Sequence, residues 1–209
     1  MSSTNDFYEN RYAAASVARP HDLEPTFQAR LMKAVARLQD RPRRVLDFGC
    51  NWGAATQAFV SHGHTAVGAD ISESALAEAR LRVPGAEFVR VPGEDRLPFP
   101  DAAFDACYAS EVIEHLFDVA GFIREMRRVL VPGGLLLLTT PYHGWLKNVI
   151  VVTTNFDAHF APTGGHIRFF SKRSLSSVLV EGGFRVEEIS GIGRVRYLWK
   201  SMFVVAESA

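Results

Sequence analysis

The chain has 209 residues, of which 47% are hydrophobic and 22% charged, proportions that are ordinary for a globular domain. Its 23 basic and 23 acidic residues balance, which argues against nucleic acid as a partner bound by bulk electrostatics. Two cysteines are too few for a disulfide framework, no secretory signal is recognised before residue 10, and the apolar run 135–140 is too short to span a membrane. We therefore expect a cytoplasmic protein.

Strand and helix signals alternate along the first two thirds of the chain. Helices are predicted over 24–38, after Gly53, from Ser72 as N-cap to about residue 83, and over 118–130. Strands are predicted over 45–47, 65–70, 87–91, 104–110 and 135–140. Such alternation predicts a parallel sheet with helices on both faces.

The alternation breaks after the fifth strand. Residues 141–170 show no clean period and contain several aromatic residues, which is typical of a binding loop or lid. A helix over about 172–181 and two strands over 184–190 and 198–206, close enough to pair antiparallel, complete the chain. The prediction is one domain over 1–209, with an N-terminal helical flap (about 1–40) and a lid insert (about 141–170).

A glycine-punctuated turn is the most informative feature of the sequence. The apolar strand 45–48 runs into Gly49 and Gly53, and the next strand ends on Asp70. Glycine lets the backbone approach a ligand closely, although turn chemistry alone is the alternative. An acid about 20 residues beyond the first glycine is placed to accept hydrogen bonds from ribose hydroxyls. The spacing predicts a nucleoside-bearing cofactor held across two neighbouring strand ends.

The order of motifs resembles the class I S-adenosylmethionine-dependent methyltransferases. The segments that carry this resemblance are 45–53, Asp70, 93–95 before 97–100, 104–111, 132–134 and 165–171 with 182–184. The resemblance extends to ubiquinone-pathway O-methyltransferases of the small-molecule branch. It implies a Rossmann-like, doubly wound seven-stranded sheet, mostly parallel with an antiparallel C-terminal strand, and S-adenosyl-L-methionine as cofactor.

The resemblance also implies a set of cofactor contacts. Asp47 would hold the methionine ammonium, Asp70 the ribose, and Glu94 the adenine amine, because Gly93 stands where many relatives carry aspartate. Tyr12, with Tyr8 and Arg11, would fold over the cofactor carboxylate. The full predicted set is Asp47, Gly49, Cys50, Gly53, Asp70, Ile71, Glu94, Ser110 and Tyr12. Capping, core and surface roles remain the alternatives for these side chains.

Histidines near the expected acceptor site are the candidate bases. Methyl transfer is an in-line displacement that depends mainly on positioning, and a hydroxyl acceptor must also lose its proton. His115 is favoured, and His143 and His166 are the further candidates.

Glu111, Glu114 and His115 form an E-x-x-E-H pattern expected to share one helical face. In ubiquinone-pathway enzymes a divalent cation is thought to assist at this segment. The same letters occur in metal-independent relatives, and we predict no metal here.

The predicted function is methyl transfer to a small organic acceptor, with O-methylation preferred. The aromatic insert would form the acceptor wall, whereas Trp145 and the apolar run 149–152 could instead touch a membrane surface or another subunit. A homodimer is possible. The alternatives are a non-catalytic cofactor-binding module and a nicotinamide-dependent oxidoreductase, but the glycine turn lacks the G-x-G-x-x-G spacing of the latter.

Overall fold

The computed structural model describes residues 24–91, 96–160, 165–193, 195 and 198–209. Its strands are β1 Arg44–Phe48, β2 Thr65–Asp70, β3 Glu87–Arg90, β4 Phe104–Ser110, β5 Leu130–Pro141, β6 Phe184–Ile192 and β7 Ser201–Ser208. The helices of this part are α1 Pro25–Leu38, α2 Ala54–Ser61, α3 Glu73–Arg82, α4 Val119–Val129, α5 Trp145–Thr154, α6 Phe156–His159 and α7 Lys172–Glu181. A single 3-10 turn, Ile113–His115, follows β4.

The seven strands form one sheet in the order β3-β2-β1-β4-β5-β7-β6. Strands β1 to β5 pair in parallel, and β7 runs antiparallel between β5 and β6. The predicted Rossmann-like architecture with an antiparallel C-terminal strand is confirmed. The chain leaves β1 in one direction towards β2 and returns on its other side as β4, and ligands bind open parallel sheets at such a switch point.

The core lies on both faces of the sheet. Leu136 and Leu138 of β5 pack towards α4 and α7, whereas Leu135 and Leu137 face α1 and α2. Since neighbouring strand residues point to opposite faces, covering both faces requires the continuously apolar strands seen in the sequence. The part of the predicted N-terminal flap that the structure describes, α1, packs on the sheet through one apolar stripe.

Two expectations about the second half of the chain are wrong. The insert is not irregular, because it contains α5 and α6. Its helical period was hidden because Lys147 is buried while Val149 and Val152 face solvent, the reverse of the usual amphipathic pattern. Strand β5 starts at Leu130 rather than Leu135, with a register shift in its pairing to β4.

None of the helices within the described ranges has the length and apolar character needed to cross a membrane.

Candidate active site

A cavity of about 170 Å³ opens at the carboxyl ends of β1 and β4, at the switch point of the sheet. Helix α1, the glycine turn and the end of β4 form its walls. The lining residues are Glu24, Phe27, Arg30, Asp47, Gly49, Cys50, Asn51, Trp52, Ala54, Ala55, Tyr108, Ser110 and Glu111. This volume is below the roughly 300–1,000 Å³ of typical small-molecule sites, so the cavity can enclose one end of a ligand such as the predicted cofactor.

The two glycines of the turn have different roles. Gly49 has φ 76° and lies in the cavity wall, and a Cβ there would meet Val112 at 2.5 Å. Gly53 has φ 81° and precedes α2, and a Cβ there would meet Phe88 and Ala79 at 3.1 and 3.2 Å. Gly49 therefore leaves room for the Val112 side chain and contributes backbone to the cavity wall, whereas Gly53 permits the turn and its packing against β3 and α3.

Asp70 ties the glycine turn to the end of β2. Its two carboxylate oxygens accept hydrogen bonds from the backbone N–H groups of Asn51, at 2.9 Å, and Ser72, at 3.0 Å. Asn51 lines the cavity, while the side chain of Ser72 accepts from the N–H of Ala75 as the predicted N-cap of α3. These two hydrogen bonds orient the carboxylate where the glycine turn meets the end of β2.

Asp47 places a buried carboxylate in the cavity wall. It is 2% exposed, and the Thr56 hydroxyl donates to it at 2.6 Å. Burial raises its pKa to about 7, although the hydrogen bonds from Thr56 favour the charged form. A ligand ammonium beside this group would supply the positive charge that stabilises the carboxylate.

Arg30 is a site residue that the sequence reasoning missed. Its guanidinium lines the same cavity, 3.6 Å from a carboxylate oxygen of Glu111. The Nε of Arg30 and the Oδ1 of Asn51 are buried and have no hydrogen-bond partner among the described residues. The sequence did carry a signal, because Arg30 shares the buried face of α1 with Phe27 and Ala34, three residues before it and four after it.

The E-x-x-E-H segment does not form one helical face. Glu111 adopts a φ of 57° and directs its carboxylate to Arg30 and the Ser201 hydroxyl, which donates at 2.7 Å. Glu114 lies in the 3-10 turn and accepts from Thr140 at 3.0 Å. Burial, then the nearby Glu111 charge, raises the pKa of Glu114. The left-handed residue turns the chain, so the two carboxylates accept hydrogen bonds from neighbouring residues of β5, Glu111 from Thr139 and Glu114 from Thr140.

His115 and His166 meet where the insert returns to the sheet. Nδ1 of His115 donates to the carbonyl oxygen of Gly165 at 2.7 Å, and the two imidazole rings lie 4.8 Å apart. Glu114, His115 and His166 each offer one potential ligand atom, and these atoms lie within 4.8 Å of one another. The predicted absence of a metal stays a prediction.

His143 lies deeper in the insert. Nδ1 of His143 lies 3.2 Å from Oδ1 of Asn148, and its ring is 5.5 Å from that of His159 and 4.9 Å from that of Phe169. Burial and the charge of Lys147 lower its pKa to about 4. The insert therefore brings His143 into a ring cluster with another histidine, His159, and with Phe169.

The remaining predicted residues are less informative. Burial raises the pKa of the Cys50 thiol, and the Ser110 hydroxyl bonds with that of Thr139 at 3.0 Å. Ile71 is half-buried, and its carbonyl accepts from Arg90 at 3.2 Å. Tyr12 and Glu94, together with Tyr8, Arg11 and Gly93, lie outside the described residues.

Residues 46–138 match a family model described as a methyltransferase domain. The matched segment is a methyltransferase domain. A protein from Mycolicibacterium smegmatis named probable S-adenosylmethionine-dependent methyltransferase is 34% identical over 150 residues, 72% of this chain and 55% of that protein. Ubiquinone biosynthesis O-methyltransferase from Thiobacillus denitrificans is 28% identical over 179 residues, 82% of this chain and 76% of that protein. The chain thus spans just over half the length of the first of these relatives.

The fold of this methyltransferase domain recurs among solved structures. A chain from the complex between the Haloferax volcanii Trm112 methyltransferase activator and a methyltransferase superposes with a TM-score of 0.77. The identity is 19%, and the superposition covers 96% of this chain and 98% of that chain. At this identity the likeness concerns the fold.

Proposed function

We propose that this domain transfers the methyl group of S-adenosylmethionine to a small organic acceptor, preferentially to oxygen. One observation carries the proposal: the cavity at the β1–β4 switch point combines a buried carboxylate, Asp47, with a guanidinium whose Nε is unpartnered among the described residues, Arg30. A zwitterionic amino-acid moiety presents the two complementary charges. Gly49, which has no side chain, lies in the cavity wall and allows a ligand to approach its backbone.

The cofactor supplies an electrophilic methyl group on a sulfonium. Asp47 would bind the ammonium, Arg30 the carboxylate, and Asp70 the ribose hydroxyls next to the turn that it holds in place. Glu111 positions the Arg30 guanidinium, and its own carboxylate is fixed by Ser201 and Thr139. These contacts hold the cofactor, and the rate then depends on aligning the acceptor with its methyl group.

His115 is the best-placed base for a hydroxyl acceptor. It lies four residues after Glu111, which lines the cofactor cavity. Because its Nδ1 donates to the Gly165 carbonyl, the neutral ring carries its basic lone pair on Nε2. His166 packs against this ring, and we assign it a role in orienting the acceptor.

The inner face of the insert forms the acceptor wall in this proposal. His143, His159, Phe160 and Phe169 make edge-on and tilted ring contacts between 4.9 and 5.5 Å. His143 is neutral at physiological pH because burial lowers its pKa. Aromatic rings with a few neutral polar edges suit an uncharged organic acceptor.

Replacing Arg30 by methionine tests the cofactor pocket. We expect calorimetric titration to show S-adenosylmethionine affinity reduced about 10–100-fold, because a charge-assisted pair with the carboxylate is lost. Arg37→Met is the matched control on the same helix, since Arg37 pairs with Glu187 instead. Equal affinities of the two variants would contradict the assigned role of Arg30, and no binding to the unaltered protein would contradict the proposed function.

The His115→Gln variant distinguishes an effect on the methyl-transfer rate from an effect on cofactor binding. With isotopically labelled cofactor and a cell extract as the acceptor source, we expect label transfer to slow by about 10²-fold or more, since general base catalysis is lost. Cofactor affinity should stay within about threefold, because His115 is not in the cavity wall. His62→Gln, on the exposed end of α2, is the control. Transfer of label to no metabolite by the unaltered protein would favour the non-catalytic module.

A further inference from the structure

Unpaired buried polar atoms are concentrated at the cofactor cavity. Six buried side-chain polar atoms among the described residues have no hydrogen-bond partner, and three of them belong to residues that line this one cavity. They are Nε of Arg30, Oδ1 of Asn51 and the hydroxyl of Tyr108. Folded proteins pair nearly all of their buried polar groups, so three exceptions around one cavity indicate a ligand that pairs with them.

Tyr108 is fixed in the cavity wall by its strand and by the packing of its ring. It lies on β4, is 1% exposed, and has Asp47 of β1 as its register partner. Its ring packs edge-on against Phe59, with 5.5 Å between the ring centroids. The next residue on that face of β4, Ser110, bonds with the Thr139 hydroxyl. The packed ring thus holds the Tyr108 hydroxyl at the cavity without giving it a partner among the described residues.

The unpaired atoms comprise two donors and an acceptor. Burial raises the pKa of the Tyr108 phenol, so its hydroxyl keeps its proton at neutral pH and can donate. Nε of Arg30 can only donate, whereas Oδ1 of Asn51 and the ionised carboxylate of Asp47 can only accept. Two donors and two acceptors therefore surround one cavity of about 170 Å³. An α-amino acid presents the complementary groups, because its carboxylate accepts hydrogen bonds and its ammonium, on the same carbon, donates them.

We propose that Tyr108 is a specificity-determining residue whose hydroxyl donates to the carboxylate at the amino-acid end of the cofactor, beside Arg30. Oδ1 of Asn51 then accepts from the ammonium together with Asp47. This inference rests on the proposed function, because it needs an adenosyl cofactor with an amino-acid end. A ligand that lacks the carboxylate leaves the buried hydroxyl and the guanidinium unpaired, so the cavity selects against such a ligand.

A pair of ligands isolates the contribution of the carboxylate. S-adenosylhomocysteine has the complete amino-acid end, whereas decarboxylated S-adenosylhomocysteine keeps the adenosyl group and the ammonium and lacks only the carboxylate. For Tyr108→Phe we expect calorimetric titration to show affinity for S-adenosylhomocysteine reduced about tenfold or more, because a hydrogen bond to a charged group is lost. Affinity for the decarboxylated ligand should stay within about twofold, since phenylalanine preserves the ring and its contact with Phe59.

Tyr142→Phe is the matched control. Tyr142 is the other tyrosine among the described residues, and it is also buried, but its ring packs against Trp199 and it is not part of the cavity wall. Loss of its hydroxyl should leave the affinity for both ligands unchanged. In the ligand-free protein, Tyr108→Phe should not lower the unfolding temperature, because the hydroxyl that it removes has no partner among the described residues.

Three results would overturn the inference and leave the proposed function standing. The first is an unchanged affinity of Tyr108→Phe for S-adenosylhomocysteine. The second is an equal loss of affinity for both ligands, because the hydroxyl would then shape the pocket without contacting the carboxylate. The third is a lower unfolding temperature of ligand-free Tyr108→Phe, because the hydroxyl would then be paired within the protein. Failure of the unaltered protein to bind S-adenosylhomocysteine would instead contradict the proposed function itself, and the inference with it.

Discussion

Replacing Asp47 by asparagine is expected to stabilise the cofactor-free protein while abolishing cofactor binding. The fold raises the pKa of this buried carboxyl from 3.8 to about 7. The folded state therefore binds its proton more tightly than the unfolded chain, and the free energy of unfolding falls as pH rises from about 4 through 7. Above pH 7 the charged group costs roughly 2–4 kcal/mol, which the neutral amide avoids.

Thermal unfolding at pH 8 and at pH 4 measures this effect. The side-chain oxygen of an asparagine can still accept the hydrogen bond from the Thr56 hydroxyl. We therefore expect D47N to be more stable than the unaltered protein at pH 8 and similar to it at pH 4. Asp157→Asn, at an exposed position on α6, is the control and should leave the unfolding temperature unchanged at both pH values. A D47N variant that is less stable than the unaltered protein at pH 8 would contradict this prediction, because the charged carboxylate would then stabilise the folded protein.

The same carboxyl links cofactor binding to proton release. An ammonium pairs with the ionised form, so binding at pH 6 should release close to one proton, and affinity should rise by about tenfold per pH unit up to pH 7. Calorimetric titration with S-adenosylhomocysteine in two buffers of different ionisation enthalpy measures the number of protons released on binding. Affinity that is independent of pH between 5.5 and 7 would contradict pairing of the ligand ammonium with Asp47.

Asp70→Ala should lose both stability and cofactor affinity. The variant leaves the N–H groups of Asn51 and Ser72 without their carboxylate acceptors, which costs on the order of 2–4 kcal/mol if both stay buried. In the proposed complex, the ribose hydroxyls would lose the same acceptors. We expect affinity for S-adenosylhomocysteine to fall by about 10²-fold or more, and the unfolding temperature to fall by several degrees.

Asp105→Ala is the matched control for this variant. Asp105 also accepts a backbone N–H, that of Arg44 at 2.8 Å, but at the amino-terminal ends of β1 and β4, the end opposite to the cavity. Its loss should lower the unfolding temperature without changing cofactor affinity. If Asp70→Ala showed the same stability loss with unchanged affinity, Asp70 would be confined to holding the glycine turn.

Local pattern was sufficient for most of the fold. The bounds predicted for β2, β4 and α7 coincide with those observed, because each segment is short, strongly patterned and bounded by turn or cap residues. The glycine turn and Asp70 were also found from the sequence, because glycine adopts the left-handed backbone seen at Gly49 without steric cost and marks such turns.

Local sequence pattern did not predict which side chains line the cavity. Arg30 reaches the site from a helix that precedes the glycine turn, and its role depends on how α1 packs across β1 and β4. Spacing suggested that Glu111 and Glu114 act together, but the left-handed φ of Glu111 sends them to different partners. The spacing on α1 indicates that Arg30 is buried, but it does not show which site the guanidinium reaches, and no spacing indicates the turn at Glu111.

The sequence by itself determined the sheet, its helices and the turn beside Asp70, because these follow from periodicity and from the steric freedom of glycine. The tertiary structure decided which charges meet in the cavity and which side of α5 faces outward. Burial of Asp47 and Arg30, and exposure of Trp145, result from contacts between segments far apart in the chain. Such contacts arise only when the sheet brings those segments together.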